Sequence, residues 1–494
     1  MNKKRILAFI LACLTALSVL VMTACQDPTT EAGEKPDESG AETSGPAETE
    51  RPYADIPEGF SYGDKTITFL VARDGDSDWE CVDIYFETES EDPIESAIFR
   101  RNATLKDKYN VNIAHVPTDS AGSVAQRTIK SGADDYQVLM CRTGDTISLL
   151  SNRQLIDLNT LEGIDLSNPW WDQNLVKNCS IGGRNYFATG DISIMDNDAT
   201  WVMMFNKAMI QQYDLESPYE LVKNNEWTFD KMYEMMHAVA GDGKGDDGNG
   251  KVDYDVDTFG WVTHNSSRDG LYYAAGLQVV AKDEYDMPYM TKSDLERTVN
   301  VLGMAQKLWT EKSMTWSADR DGYSAVELQQ IFESGRALFM GEVMQLVIRL
   351  REMELDFGII PFPKYDSEQE NYGHYVHQTS VMMSIPITCE NAENVAYVLE
   401  AMAAESMYTL TPAYYETALI GKYFRDPESS EMLDIILQSR TFDLGFMFSW
   451  GSGVISLFTN QISSGGSDYI SSYNKSATKY EKQMQKFVSK LLND

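Results

Sequence analysis

Two carboxylates, an amide and an indole ring lie close together along the chain, at Asp191, Asp196, Asn197 and Trp201. Carboxylate and amide groups form hydrogen bonds with hydroxyls, and the flat face of an indole packs against apolar C–H groups. Together these residue types can bind an uncharged ligand that carries many hydroxyls, such as a sugar. A structural interpretation stays open beside this one, in which Trp201 begins a core strand and the aspartates cap turns.

Three further aromatic residues are candidates for the same kind of contact. Trp171 ends a Pro-Trp-Trp segment, which either closes over a ligand or packs between elements. Trp450 lies in a loop flanked by glycines, where a ring is easily presented to solvent, and we expect it to contact the ligand. Tyr414 is followed by Tyr415, and core packing is the alternative for at least one of the two.

An acidic, glycine-rich stretch at 241–257 indicates a second kind of chemistry. Carboxylates that alternate with glycines suit a hard cation, which takes several oxygen ligands from a sharply turning loop. The spacing departs from that of an EF-hand, because lysine occupies alternate ligand positions and no closing glutamate follows, so a solvated hairpin without metal is the alternative. Any calcium bound here would be structural, and its candidate ligands are Asp242, Asp246, Asp247, Asn249 and Asp253.

Motifs of common enzyme classes are missing from the sequence. It has no H-E-x-x-H, no G-x-S-x-G and no Walker A pattern. His374 and His377 could share a metal only if their segment bends suitably, and polar surface roles are the simpler interpretation. We therefore expect neither catalysis nor a cofactor, calcium aside. A catalytic carboxylate pair is defined by its separation in space, so a secreted glycoside hydrolase stays open as the competing function.

The beginning of the chain predicts export and lipid attachment. Basic residues precede an apolar run at 6–22, which is short for a spanning helix and is followed by small residues, as in a secretion signal. Residues 21–25, VMTAC, resemble the bacterial lipobox. The resemblance implies removal of residues 1–24 and a lipid on Cys25, which would hold the protein at the membrane. An ordinary signal peptide with an incidental cysteine is the alternative.

The charge balance limits the class of partner. The chain has 41 Lys and Arg against 76 Asp and Glu, a net charge of −35, and loss of the three basic residues in 1–24 makes it about −38. Nucleic-acid binding depends on clustered basic residues, and none lies outside the signal, so we exclude nucleic acid. The same field disfavours a highly anionic ligand but has no effect on neutral solutes such as sugars or peptides, so we expect an uncharged ligand.

The rest of the chain divides into a tether and a folded body. Residues 25–58 are rich in Glu, Asp, Pro, Thr, Ser and Gly, and this composition predicts a disordered acidic tether. The body from 59 to 494 exceeds one ordinary core, which predicts at least two lobes. Its cysteines suggest no disulfide framework, and we predict free thiols at Cys81, Cys141, Cys179 and Cys389.

Short apolar runs alternate with amphipathic helices in the body, which predicts an α/β fold. Strands predicted at 66–71, 111–116 and 136–141 are separated by helices, an order typical of a parallel sheet with covered faces. Further strands are predicted at 201–205, 336–340, 357–360 and 380–385. The second half is rich in helix, with predicted helices at 294–311, 391–405, 428–439 and 469–492.

Eight segments follow one another along nearly the whole body: IESAIFRRN at 94–102, YNVNI at 109–113, PWWD at 169–172, GRNY at 183–186, FNK at 205–207, NEWTFDK at 225–231, FESGRALF at 332–339 and FGIIPFPK at 357–364. In this order and spacing, with the lipobox and tether, the chain resembles the extracellular solute-binding proteins of ABC importers. The resemblance is to the carbohydrate-binding, family 1-like branch.

The resemblance implies a two-lobed, periplasmic-binding-protein-like clamshell with a hinge between the lobes and the ligand in the cleft. It places one lobe at 59–195 and 364–405, the other at 198–363 and 406–494, and Asp191 to Trp201 at the first crossover. It also implies a monomer, anchored at the extracytoplasmic face of the bacterial cell membrane, that closes around its ligand and delivers it to an ABC permease. A secreted glycoside hydrolase and a polysaccharide-binding surface adhesin are the alternatives.

Overall fold

The computed structural model describes residues 52–73, 79–291, 295–350, 353–419, 427–450 and 452–493. The predicted signal peptide, Cys25 and the tether up to residue 51 lie outside the described residues. Residues 52–494 form one compact unit. Among the described helices, none has the length and apolar character that crossing a membrane requires.

Strands and helices alternate through the chain, as the sequence predicts. The strands are β1 (Thr66–Ala72), β2 (Asn112–Thr118), β3 (Val138–Arg142), β4 (Trp201–Asn206), β5 (Phe259–Thr263), β6 (Val280–Lys282), β7 (Pro288–Met290), β8 (Thr315–Ser317), β9 (Ala337–Val343), β10 (Phe357–Ile360), β11 (His374–Tyr375), β12 (Val381–Ser384) and β13 (Arg440–Thr441). The α-helices of the first half are α1 (Pro93–Tyr109), α2 (Ala121–Ser131), α3 (Thr143–Ser151), α4 (Gln173–Cys179), α5 (Met195–Asp198), α6 (Lys207–Gln212), α7 (Pro218–Lys223) and α8 (Phe229–Ala240). Those of the second half are α9 (Ser267–Ala274), α10 (Leu295–Thr310), α11 (Ala318–Asp321), α12 (Ala325–Glu333), α13 (Met344–Arg349), α14 (Ala392–Tyr408), α15 (Leu410–Leu419), α16 (Pro427–Gln438), α17 (Leu444–Met447), α18 (Ser452–Ser464) and α19 (Tyr469–Leu492).

The first sheet has four strands in the order β12-β3-β1-β2. β1 runs parallel to β2 and β3, and β12 adds an antiparallel edge strand. Local signals explain the crossover after β1: Asp92 accepts hydrogen bonds from the first amides of α1, Pro93 occupies its first turn, and Asn110 ends it with φ of 50°. The parallel arrangement predicted for 66–141 is confirmed.

The second sheet has five strands in the order β10-β4-β9-β5-β8. β4 is antiparallel to β9, with Trp201 opposite Val343, while β5 is parallel to β8 and β9, with Thr263 opposite Ser317. The first residue of β4 and the last residues of β5, β8 and β9 therefore share one edge of the sheet. This edge positions the candidate site.

The two sheets fall into the ranges predicted for the two lobes. All strands of the first sheet lie within 59–195 or 364–405, and all strands of the second lie within 198–363. Short segments link them: β11 pairs with β13, and Thr200 pairs with Val376 just before β4. The α/β fold class is confirmed, and the lobe boundaries stay a prediction.

Most predicted elements are present within a few residues of their predicted ends. The four cysteines are free, buried thiols, as predicted. Several strands are missed because they are short or contain glycine: β5, β6, β7, β8, β11 and β13.

Candidate ligand-binding cleft

A cavity of about 300 Å³ lies at the edge of the second sheet where β4 begins and β5 and β9 end. Trp201, His264 and Glu342 come from those strand ends. Trp79, which follows β1, and His377, which precedes β12, contribute from the side of the first sheet. The cavity is thus a cleft between the two sheets, beside strand ends, where α/β folds commonly bind ligands.

Trp201 forms an inner wall of the cleft and is 1% exposed. Its ring meets His264 edge-on, with 4.8 Å between ring centroids, and lies nearly parallel to Tyr375 at 6.5 Å. Its indole Nε1 is buried and has no hydrogen-bond partner among the described residues. Trp201 both begins β4 and lines the cleft. The predicted sugar contact and the core-strand alternative are therefore compatible with each other.

His264 and Glu342 form a charge pair beside Trp201. Nε2 of His264 lies 3.1 Å from Oε2 of Glu342, and Glu342 is 5% exposed. Burial by itself lowers the pKa of His264, but the hydrogen bond and the negative charge of Glu342, with Asp319, outweigh it, so the pKa is raised. The hydrogen bond to Glu342 therefore stabilises the protonated form of the His264 ring.

His377 faces the cleft from the opposite side in a different state. Its ring lies near Trp79, with 6.3 Å between centroids, and its Nδ1 is 3.0 Å from the hydroxyl of Thr379. Burial, followed by the positive charge of His264, lowers the pKa of His377 to about 4. His377 is therefore neutral at physiological pH.

Two helices contribute polar as well as apolar side chains to the cleft lining. α13 follows β9 directly and brings Arg349 and Gln345 to the cavity, where Nη2 of Arg349 donates to Oε1 of Gln345 at 3.1 Å. α12 begins with a capping box between Ser324 and Glu327 and brings Gln329 to the same cavity. The cleft combines indole rings with several hydrogen-bonding groups, a combination suited to an uncharged, hydroxyl-rich ligand.

Two of the predicted ligand residues, Asp196 and Asn197, lie instead in a buried charge network around Arg440. Its guanidinium contacts Asp172 at 2.5 Å, Asp196 at 2.8 Å and Asn197 at 2.5 Å. Burial raises the pKa of Asp196 to about 7, against the effect of Arg440. Asp191 accepts from the hydroxyl of Thr411 at 2.6 Å, and burial raises its pKa to about 6. Asp196 and Asn197 lie near Trp201 along the chain, but in the fold they contact Arg440, the first residue of β13.

The other predicted aromatic residues are packed away from the cleft lining. Trp171 is 1% exposed and donates Nε1–H to Glu400 at 2.9 Å, and Tyr414 is fully buried and donates to Asp198 at 2.9 Å. Trp450 is 4% exposed and packs on Phe487 of α19, with 5.2 Å between centroids. The C-terminal helix covers the ring of Trp450, which was predicted to be presented to solvent. Of the seven predicted ligand residues, Trp201 lines the cavity.

Sequence reasoning missed most of the residues that line the cleft: Trp79, His264, Glu342, Arg349 and His377. Their positions carry one usable signal, since His264 directly follows a strand and Glu342 lies at a strand end. β5 was not predicted, so that signal could not be used. His374 is 1% exposed, accepts from the amide of Phe362 at 3.3 Å and lies 2.8 Å from the hydroxyl of Ser439, so its ring fastens the β11–β13 pair.

The acidic glycine loop gathers part of the predicted calcium set. Single oxygens of Asp246, Asp247 and Asp257 lie within 4.8 Å of one another. Asp257 accepts amide hydrogen bonds from Asp247 at 3.1 Å and Asp253 at 2.7 Å, which hold the loop without a metal. The other predicted ligands make local contacts: Asp242 with His237, Asn249 with Lys251 and Asp253 with Asp255. Calcium binding stays a prediction.

No family model and no curated protein matches the sequence. Solved structures do match. The chain is 11% identical to a cyclo/maltodextrin-binding protein complexed with maltotetraose, with a TM-score of 0.53 over 88% of this chain and 99% of that one. It is 12% identical to a sugar transporter from Rhizobium etli in an open conformation, with a TM-score of 0.52 over 86% and 99% of the two chains.

A third match is an ABC substrate-binding protein from Listeria monocytogenes in complex with cycloalternan. It is 12% identical, with a TM-score of 0.51 over 85% of this chain and 99% of that one. Identities this low carry information on fold rather than on ligand. Because the matches span nearly the full length of each neighbour, they show that this chain has the two-lobed α/β fold of the ABC substrate-binding proteins.

Proposed function

We propose that the protein is the extracytoplasmic substrate-binding component of an ABC transporter and that it binds an uncharged sugar or oligosaccharide. The observation that carries this proposal is the cleft lined from both sheets, with Trp79 and His377 on one side and Trp201, His264 and Glu342 on the other. The neighbours that share the fold bind maltotetraose and cycloalternan, which is consistent with the same ligand class.

The composition of the cleft favours a sugar over other solutes. Indole faces pack against the C–H faces of a pyranose ring, while the imidazoles, the carboxylate and the amides exchange hydrogen bonds with its hydroxyls. Arg349 is the one lysine or arginine that lines the cavity in the described part of the chain, and the protein carries a net charge of −35. A highly charged anion would find too few positive charges there to balance its own charge.

Ligand binding would act through closure of the two lobes. A sugar that contacts both sides of the cleft stabilises the closed form by its higher affinity for that form, and a membrane permease would recognise it. Lipid attachment at Cys25 would keep the protein, as a monomer, at the outer face of the cell membrane.

The experiment is a thermal-shift screen of the full chain against maltotriose, maltotetraose, cycloalternan and D-mannitol. A sugar at 100 times its Kd stabilises the folded state by about 2.7 kcal/mol, so we expect a clear rise in Tm for at least one of them. Reducing ends are assayed in the same samples. No rise with any sugar would contradict the proposal, and release of reducing ends would favour the hydrolase.

One observation weighs against the glycoside hydrolase. Glycosidases commonly use two carboxylates that flank the scissile bond. Among the described residues that line the cavity, Glu342 is the single carboxylate, and His264 is already paired with it. The surface adhesin is tested separately, because it would show no ligand-induced compaction in small-angle scattering.

A further inference from the structure

Two histidines reach the cleft from opposite sides, and their surroundings differ. His264 follows β5 of the second sheet, and His377 lies between β11 and β12. A chain of ring contacts links them: Trp201 meets His264 at 4.8 Å and Tyr375 at 6.5 Å, and Tyr375 meets His377 at 5.9 Å between centroids. The two imidazoles are therefore joined by one continuous set of packed aromatic rings.

The hydrogen bonds of His377 determine its tautomer. The backbone amide of Thr379, which can only donate, lies 3.3 Å from Nδ1 of His377. Nδ1 must therefore act as an acceptor, and the proton of the neutral ring lies on Nε2. The lowered pKa, about 4, keeps the ring in this neutral form. His377 consequently offers the cleft a fixed N–H donor.

On the other side, Glu342 is a fixed acceptor. The amide of Val343 donates to its Oε1 at 2.9 Å, and Nε2 of His264 lies 3.1 Å from its Oε2. Asp319 lies 3.9 Å from Nδ1 of the same histidine, so the ring has negative charge beside both nitrogens. The hydrogen bond from a protonated His264 thus keeps the Glu342 side chain oriented.

We propose that this donor and this acceptor make the cleft specific for free hydroxyl groups: Nε2–H of His377 donates to the ligand, Glu342 accepts from it, and His264 is the positioning residue. The inference rests on the proposed function, because it specifies which groups of a sugar the same cavity recognises. A free hydroxyl both donates and accepts, whereas an O-methyl group cannot donate and a deoxy position does neither.

A pH dependence follows from the role of His264. The charged and titratable groups near this ring are Glu342, Asp319, His377 and Arg349. Since the pKa of His264 is raised, the ring keeps its proton to a higher pH than an ordinary histidine and loses it as the pH rises through that higher pKa. Glu342 then loses its positioning partner, and sugar affinity falls on the alkaline side.

The ligand-free protein provides the first test. Ring-nitrogen NMR of the full chain should show His377 with the proton on Nε2 throughout pH 5–8, and His264 titrating above 6.5. Among the five histidines, the signals of His264 and His377 are assigned by His264→Gln and His377→Gln, with His237→Gln as a control outside the cleft. Glu342→Gln should lower the titration midpoint of His264. A proton on Nδ1 of His377, or an unchanged midpoint, overturns the inference.

The second test measures affinity by calorimetry. The probe is whichever of maltotriose, maltotetraose, cycloalternan and D-mannitol raises Tm most, and its per-O-methylated form should not bind. Glu342→Gln and His377→Phe should each weaken binding about tenfold or more. His377→Gln, which keeps a donor, should lose less, and His264→Gln should abolish the alkaline fall in affinity.

The outcomes separate the two proposals. If the sugar binds but these variants bind as tightly and with the same pH profile, the hydroxyl specificity is wrong and the proposed function stands. Binding of the methylated sugar with undiminished affinity has the same meaning. If none of the four sugars binds at any pH, the proposed function fails and the hydroxyl specificity fails with it, whatever the NMR result.

Discussion

The cleft and the network around Arg440 both contain carboxylates paired with a basic side chain, but they have different roles. The network consists of Asp172, Asp196, Asn197 and Arg440, and the Arg440 side chain is 10% exposed with its acceptors fixed around it. In the cleft, the His264–Glu342 pair borders a cavity of about 300 Å³. Buried charged groups that contact one another leave no room for a ligand, whereas a pair that borders a cavity can also meet one.

The difference follows from where each network lies. Asp172 precedes α4, Asp196 lies in α5 and Arg440 begins β13, so the closed network ties together three separate segments near the crossover to β4. Burial acts to lower the pKa of Arg440, but Asp172 and Asp196 outweigh it, so the pKa is raised and Arg440 stays charged. Such a group needs all its partners, since an unpaired buried charge is strongly unfavourable.

The largest expected effect is loss of the closed network. Arg440→Met leaves Asp172 and Asp196 buried without their cation and should reduce the free energy of unfolding by about 3–5 kcal/mol. Urea denaturation measures the loss. Arg73→Met is the matched control, because its pair with Asp119 is exposed at the surface and should be worth less than about 1 kcal/mol. Equal losses in the two variants would contradict the contrast.

Two tryptophans sharpen the comparison between binding and packing. Trp201→Ala should weaken sugar affinity by about 1–3 kcal/mol if its ring packs on the ligand as aromatic platforms do elsewhere. Trp450→Ala should lower stability but leave affinity unchanged, because its ring packs on Phe448 and Phe487 outside the cavity lining. Calorimetry at a temperature where both variants are folded measures the affinities. An equal loss of affinity would place Trp450 in the site.

A smaller effect concerns the pH dependence of stability. Burial raises the pKa of Asp198 to about 7, against its hydrogen bond from Tyr414. Since the folded pKa exceeds the unfolded value of 3.8, folding stability falls as the pH rises from about 4 to about 7. Asp198→Asn removes this loss, so it should gain on the order of 1–2 kcal/mol relative to the parent between pH 5 and 8.

Thermal melts across that pH range measure the relative gain. Glu284→Gln alters an exposed carboxylate and serves as the control, for which the difference from the parent should not change with pH. A pH-independent difference for Asp198→Asn would show that its carboxyl group is not what titrates.

The smallest expected effect is that of calcium on the acidic loop. Because amide hydrogen bonds already occupy both oxygens of Asp257, we expect calcium chloride and a chelator to give melting temperatures within a few degrees of each other. Differential scanning calorimetry makes the comparison. A large rise with calcium that Asp246→Asn and Asp247→Asn abolish would establish a structural metal site instead.

Much of the fold was predictable because its main strands are long apolar runs separated by helices. β1, β3, β4 and β9 stand out for this reason, and each was predicted within a few residues of its ends. β5 was missed, although it is an interior strand of the second sheet, because FGWVT is short and contains glycine. Because β5 was not predicted, the position of His264 directly after a strand was not recognised.

The site was less predictable because it is assembled from distant parts of the chain. Reasoning along the sequence grouped Asp191, Asp196, Asn197 and Trp201. In the structure Trp201 lines the cleft, whereas Asp191 contacts Thr411, and Asp196 and Asn197 contact Arg440. Adjacent residues of a crossover segment point in different directions, so proximity along the chain does not imply a shared environment.

The sequence by itself determined the acidic charge and the order of strands and helices. These properties depend on composition and on local periodicity, which any stretch of chain carries with it. The tertiary structure alone decided that Trp79, Trp201, His264, Glu342 and His377 line one cavity, and which carboxylates are closed off by Arg440. The physical reason is that sheet register and burial set the partners and the protonation of each group, and both depend on residues hundreds of positions apart.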